Sequence, residues 1–421
     1  MKRFFCILLL SFLAANAFTQ NQQNFGIKFS GFVKADYFFD SRQTVSIREG
    51  HFLLYPEAES LDINGKDINA KANLNMLTIQ TRLKGSISGP DAFGAKTSGV
   101  IEGAFFGHSE GDINGFRLRH AYLNLKWKKA EILFGQSWHP MFIASCFPAV
   151  VSFNTGAPFQ PFSRNPQVKF TRHIKNFKLV AAVASQRDFT STGPDGKSSK
   201  YLRNSVIPDV NLQLHFNKKN KETGNILAYG IGGEYKVLSP RLINDSLIKA
   251  EESVKSMAGM AFLKIKRKKI TYKLEAIYGQ NLYDLTMLGG YAIKHFIVPT
   301  ELNDYNLEYT PITTLSVWTE IHSNGDKWVY GLFAGYTKNM GSLKNIYEWP
   351  NPASYYSRGF NIDYIYRLSP RIMLKSGKSM FATEVEYTVA SYGTEWNSLN
   401  EIQNGEDVAN IRLLFSVYYF F

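Results

Sequence analysis

Cysteine is nearly absent. The chain carries two in 421 residues, Cys6 and Cys146, and Cys6 falls inside an N-terminal leader. An exported chain of this length with no possible internal disulfide must draw its stability from elsewhere. Long hydrophobic runs are missing too. No apolar stretch of about eighteen residues occurs, which excludes a transmembrane helix. Two catalytic signatures are also lacking: there is no H-x-x-x-H and no glycine-rich phosphate loop. The histidines (His51, His108, His120, His139, His173, His215, His295 and His322) are scattered without metal-ligand spacing. A lone histidine on a strand is more often structural than catalytic. No metal, cofactor or nucleic-acid partner is expected, and Cys146 reads as a small apolar filler.

The ends of the chain are informative. Lys2 and Arg3 precede the apolar run Phe4 to Leu13, then small residues and Ala15-Asn16-Ala17. This is a secretory leader over 1–17, with cleavage at 17–19 and a short segment 18–24 before the folded part. At the other end, Ile411, Leu413, Phe415, Val417, Tyr419 and Phe421 form one apolar face that closes the polypeptide on an aromatic. Such a strand matches the terminal signal, here Phe415, Val417, Tyr419 and Phe421, that barrel-assembly machinery reads in outer-membrane barrels. Half-buried strands of soluble sandwiches also alternate, so this face alone does not decide.

The rest of the chain decides it. Apolar/polar alternation recurs at about 25–40, 73–89, 97–107, 115–127, 130–138, 166–174, 177–187, 208–217, 225–238, 253–266, 269–281, 310–322, 327–338, 358–374, 379–392 and 407–421. That is about sixteen strands, an even number as single-chain bacterial barrels require. Their connections alternate between short (Lys128-Lys129, Lys175-Asn176, Arg267-Lys268) and long (41–72, 139–165, 188–207, 282–309, 339–357). A sandwich has no reason for this rhythm; a transmembrane antiparallel β-barrel with short periplasmic turns and long extracellular loops does. Aromatic residues make up 14% of the chain, while mean hydropathy is slightly negative. Interfacial aromatic girdles around a polar lumen account for that combination, with outer-membrane lipid as the surrounding phase.

Two details stay open. Leu77, Ile79, Leu83 and Ile87 are read as outward, with Gln80, Arg82, Lys84 and Ser86 inward. In 115–127, Arg117 and Arg119 fall in phase with Leu123 and Leu125. Either the arginines lie beyond the membrane, which is the reading preferred here, or a bulge switches the faces.

Several segments carry a resemblance: Gly103 to Gly107, Phe116 to Tyr122, Leu133 to Trp138, Arg164 to Phe170 and Glu384 to Gly393. In this order they resemble the DcaP-like outer-membrane porin family, in a style similar to Bacteroidota-type outer-membrane β-barrel proteins. They cover about a fifth of the chain, and 190–350 matches nothing in that family. The resemblance implies a sixteen-stranded, homotrimeric porin of a Gram-negative outer membrane that passes small, often anionic, solutes by diffusion.

Porin selectivity needs a constriction and charged lumenal groups. Loop 139–165 is the candidate constriction. Its only formal charge is Arg164, among Phe142, Phe147, Phe153, Phe159, Phe162 and four prolines. So apolar a loop packs inside the barrel or against a neighbouring protomer, or forms a lid. The alternation places both signs inward, and much of the +13 formal charge lies in short turns. Arg82, Lys84, Arg119, Arg164 and Lys169 are read as a basic ladder beside Glu102, Glu384 and Glu386, giving a mild anion preference. Each could equally pair with an inward carboxylate to hold the wall. Two other functions stand beside the porin: an accessory barrel that anchors a partner complex, and an outer-membrane enzyme with a rim site.

Overall fold

Alternation is realised as sixteen strands that close on themselves. The computed structural model describes residues 25–107, 110–244, 247–296, 307–346 and 352–421. The leader, segment 18–24, His108, Ser109 and parts of three other connections lie outside the described residues. The strands are β1 (Gly26–Asp40), β2 in two pieces (Asn73–Leu77 and Arg82–Ser88), β3 (Lys96–Ala104), β4 (Arg117–Lys126), β5 (Ala130–Trp138), β6 (Arg164–Ile174), β7 (Phe177–Ala184) and β8 (Asp209–Lys219). They continue as β9 (Ile226–Leu238), β10 (Val254–Lys266), β11 (Ile270–Gln280), β12 (Leu307–Ser323), β13 (Trp328–Ser342), β14 (Ile362–Ser376), β15 (Ser379–Tyr392) and β16 (Glu406–Phe420). Each pairs antiparallel with its sequence neighbour, and β16 returns to β1 to close the barrel. Phe421 and Gly31 exchange backbone hydrogen bonds at the seam, at 3.2 and 3.3 Å. Closure leaves no edge strand unpaired, which is how a β-structure satisfies its backbone in a membrane.

The two faces sort by chemistry. On β1, Val33 and Tyr37 point outward, 50% and 40% exposed, while Lys34, Asp36 and Asp40 are buried inside. Tyr278, Trp328, Tyr336 and Tyr387 add exposed rings to the outer surface. An apolar exterior around a charged interior is the inverse of a soluble domain and the form of a membrane-spanning barrel.

Two phases differ from the sequence reading. Between the halves of β2, a turn in which the Thr81 N–H donates to Thr78 O shifts the pattern. Leu74 and Met76 face outward, and Ile79 is buried in the interior instead of facing lipid, with Leu77 packed beside it. On β4 the bulge reading wins over the preferred one. The register shifts between Glu102 and Gly103 opposite His120 and Leu118, so Arg117, Arg119 and His120 are all buried while Leu118 and Leu123 face out. The connection 282–309 also holds a strand, Gly289–Phe296, that pairs with the start of β12 and with Tyr355–Arg358.

Three long connections pack within the barrel. Loop 1 contributes the hairpin Thr44–Ile47 with Phe52–Pro56. Loop 3 spans 139–163, and loop 6 contributes 281–288. Phe52, Leu54, Phe153, Phe159, Phe162, Leu282, Leu285 and Leu288 join Ile79, Phe106, Trp318 and Phe333 of the wall in one buried apolar cluster. This core replaces the disulfides the chain lacks. Strand β13 makes room for it. A Cβ on Gly335 would lie 2.4 Å from Cγ of Phe159. We predict that Gly335→Val displaces Phe159 and destabilises the barrel by about 1–3 kcal/mol, read as a lower urea midpoint. An unchanged midpoint would mean that Phe159 does not rest on that strand.

Candidate functional site

A loop folded into a barrel must find partners for its backbone, because water no longer supplies them. The inward side chains of the wall do so. Lys34 Nζ donates to Val151 O at 2.9 Å, Lys264 Nζ to Ser145 O at 2.8 Å and Lys273 Nζ to Phe147 O at 2.9 Å. Gln213 Nε2 reaches Pro140 O at 2.7 Å, and Arg367 Nη1 reaches Ala157 O at 2.9 Å. Acids take the donors. Glu384 accepts the N–H groups of Val151 and Ser152 at 2.8 and 3.2 Å. Glu386 accepts from Asn154 Nδ2 at 2.8 Å and pairs with Arg367 at 3.3 Å. Glu384 and Glu386 therefore anchor loop 3. Arg367 also holds loop 1 through Leu54 O at 2.7 Å. Cys146, within loop 3, is buried against the wall, where burial pushes its thiol up to about 12 and its Sγ donates to Leu263 O.

Arg82, Arg119, Arg164 and Glu102 come together on the β2 to β6 side of the lumen. Arg119 Nε donates to Glu102 Oε1 at 2.8 Å, and Arg82 lies 3.4 Å from the same oxygen. Arg164 Nε donates to Asp188 Oδ2 at 2.7 Å, and Arg117 pairs with the other oxygen. Arg48 completes the group from loop 1, its guanidinium 4.3 Å above the Phe106 ring. Arg48 and Glu49 both adopt positive φ, 61° and 50°, and their N–H groups converge on the Glu110 carboxylate. Non-glycine residues in that region cost energy and cluster at functional sites. Arg164 and Arg82 stack on Trp138 and Phe32, at 4.8 and 5.0 Å, as planar guanidiniums do.

The charge does not balance. Five guanidiniums face three carboxylates: Glu102, Asp188 and, beside Arg48, Glu110. Nε and Nη1 of Arg48, Nη1 of Arg119 and Nη1 of Arg164 are buried with no hydrogen-bond partner among the described residues. Burial lowers the Arg48 pKa to about 9; Arg117 and Arg164 add to this against the pull of Asp188. It still carries its charge at neutral pH. Burial alone would raise the Asp188 carboxyl, but Arg164, Arg117 and Arg48 hold it well below the usual carboxylate range.

Other residues named from the sequence lie apart. Lys84 is the cross-strand neighbour of Glu102, at the margin of the cluster. Lys169 lines a separate cavity of about 260 Å³ with Lys178, Glu131, His215 and the root of loop 3. Phe415, Val417 and Tyr419 lie on the outer face of β16, opposite Tyr37, Ala35 and Val33. Sequence reasoning did not reach Arg48 and Asp188, which come from loops, and it set Arg117 beyond the membrane. The uncharged run Phe52–Pro56 beside Arg48 was the available signal, since it marks loop 1 as inward by the same logic as loop 3.

No family model matches the chain, and no curated protein matches it in sequence. Solved structures do. The outer membrane channel DcaP of Acinetobacter baumannii superposes with a TM-score of 0.66 at 14% identity, covering 96% of this chain and 99% of the other. OmpT of Vibrio cholerae, an outer membrane protein in a trimer form, gives 0.54 at 9%, covering 95% and 100%. An anion-selective porin from Comamonas acidovorans gives 0.53 at 10%, covering 94% and 100%. At these identities the likeness is one of fold.

Removing the one carboxylate shared by Arg48, Arg117 and Arg164 tests the cluster's charge logic. We predict that Asp188→Asn costs about 3–5 kcal/mol, read in equilibrium unfolding at pH 7. Because the folded-state pKa is depressed, the wild-type contribution is complete above the unfolded value of about 4 and is lost as pH falls below it. The variant should lack that acid limb. A variant as stable as wild type would show the arginines to be solvated.

Proposed function

We propose that this chain is an outer-membrane porin, a distant Bacteroidota-type relative of DcaP-like channels, that passes small hydrophilic solutes by diffusion and mildly prefers anions. The observation that carries the reading is the arginine excess inside a membrane-spanning barrel, with guanidinium N–H groups left unpartnered. Buried donors without acceptors favour an arriving carboxylate or phosphate. Arg82 is the most exposed member, with 24% of its side chain accessible. It is the first contact, and Arg119 and Arg164 follow deeper in. Loop 3 sets the size limit, and the anchors at Glu384, Glu386 and Lys34 hold it in place. One fold neighbour is an anion-selective porin, in keeping with this preference.

The remaining parts of the reading follow. Residues 1–17 direct export and are removed, the long loops face outside, and the strand ending at Phe421 is the insertion signal for barrel-assembly machinery. The chain works as a homotrimer, as the trimer form of one fold neighbour suggests. It acts as a channel and not as a catalyst.

One observation favours the accessory-barrel reading. Loops 1, 3 and 6 share a continuous apolar cluster with the wall, so much of the lumen is occupied. Planar-bilayer recording separates the two. The porin reading predicts stepwise conductance, a reversal potential of anion-preferring sign in a salt gradient, and a shift toward cations in Arg82→Gln. Deleting about 145–160 should raise the conductance. Folded, heat-modifiable protein that never conducts would overturn the porin and leave the accessory barrel.

A further inference from the structure

Next to the arginines, where loop 3 leaves and rejoins the wall, lies a cluster of the opposite sign; the His139 N–H donates to Ser163 O at 2.9 Å, beside Arg164. His139 is the first residue of loop 3. Asp209 opens β8 and Glu234 lies on β9, where Asn211 and Glu234 are paired across the two strands. One ring nitrogen of His139 and one carboxylate oxygen each of Asp209 and Glu234 lie within 4.8 Å of one another. All three side chains are buried, at 1%, 1% and 6% exposure. Both oxygens of Asp209, Oε2 of Glu234 and Nε2 of His139 have no hydrogen-bond partner among the described residues. His139 Nε2 and Glu234 Oε2 approach only to 3.7 Å.

The charge count is unfavourable as it stands. Asp284 of loop 6 is paired with Lys236, which also donates to Asn281 O at 2.9 Å and lies 3.8 Å from Glu234. One lysine thus faces three carboxylates, and two negative charges remain in a dry site. Uncompensated charge of that size is expensive to bury. A single divalent cation balances it and supplies a partner for one unsatisfied atom each of His139, Asp209 and Glu234.

We infer that His139, Asp209 and Glu234 bind a divalent first-row transition-metal ion, with zinc as the best fit, and that this ion pins the root of loop 3 to β8 and β9. One imidazole nitrogen and two carboxylates suit zinc. Calcium and magnesium prefer an all-oxygen set. A tetrahedral zinc holds its ligand atoms about 3.4 Å apart, so the side chains close slightly around the ion. The imidazole then carries its proton on Nδ1 and gives up the 3.3 Å contact from the Met141 N–H. The ligands come from a loop and two strands far apart in sequence, so no spacing motif announces them.

The test uses untagged, folded full chain in detergent, stripped with chelator and titrated with zinc chloride, with metal content measured after desalting. Wild type should retain one zinc per chain and unfold at a higher temperature when loaded. Asp209→Asn and His139→Gln should each lose the bound zinc and the thermal shift while keeping the heat-modifiable barrel. Cobalt(II) on wild type should give the visible absorption of a tetrahedral nitrogen–oxygen site, which decides the matter even where a variant fails to fold. Absence of stoichiometric zinc and of that spectrum, or zinc retained by both variants, would overturn the site. None of these readouts depends on conductance, so the channel reading is judged separately.

Discussion

The structure depends on one constraint: the backbone of an apolar loop inside a barrel has to be hydrogen-bonded by the wall. Loop 3 carries almost no charge, so it cannot solvate itself, and inside the barrel its carbonyls and N–H groups lose water. The inward lysines, arginines and glutamates answer that demand one by one, from Lys34 at Val151 O to Glu384 at the N–H groups of Val151 and Ser152. A side chain engaged in this way is no longer available to a solute. Inward charge therefore divides into anchors for loops 1 and 3 and a smaller remainder whose partners are missing from the chain.

That remainder is split by sign. Arginines gather between β2 and β6 around too few carboxylates, and acids gather at His139, Asp209 and Glu234 around too few cations. The two clusters adjoin where loop 3 leaves and rejoins the wall: Trp138 pairs with Arg164, and the His139 N–H donates to Ser163 O at 2.9 Å. The same loop is fixed at its root beside the acidic cluster and at its end, through Arg164, in the basic one. Both ends of loop 3 are thus held beside buried charge.

The strands were legible in the sequence because period-two alternation is local, and because each face meets a uniform medium, lipid or lumen. The errors sit where the phase is reset by backbone geometry. The turn at Thr78 to Thr81 turns Ile79 inward, and the bulge on β4 buries both Arg119 and His120. Alternation carries no record of such resets. The candidate site was half legible. Arg82, Arg119, Arg164 and Glu102 lie on strands and could be assigned to a face. Arg48 and Asp188 arrive from loops, and their meeting is a matter of tertiary packing. Glu384 and Glu386 were correctly inward, but a facing direction does not tell whether a carboxylate meets a solute or a loop.

Cys146 reports directly on the central claim. It sits within loop 3, fully buried, with its Sγ against Leu263 O of the wall, and it is the only cysteine among the described residues. The rate at which a water-soluble maleimide labels this thiol in the folded protein, compared with the unfolded chain, is the measurement. The account predicts no labelling while the barrel is folded and complete labelling once it unfolds. Labelling of the folded protein as fast as that of the unfolded chain would contradict it, because loop 3 would then lie outside the packed lumen.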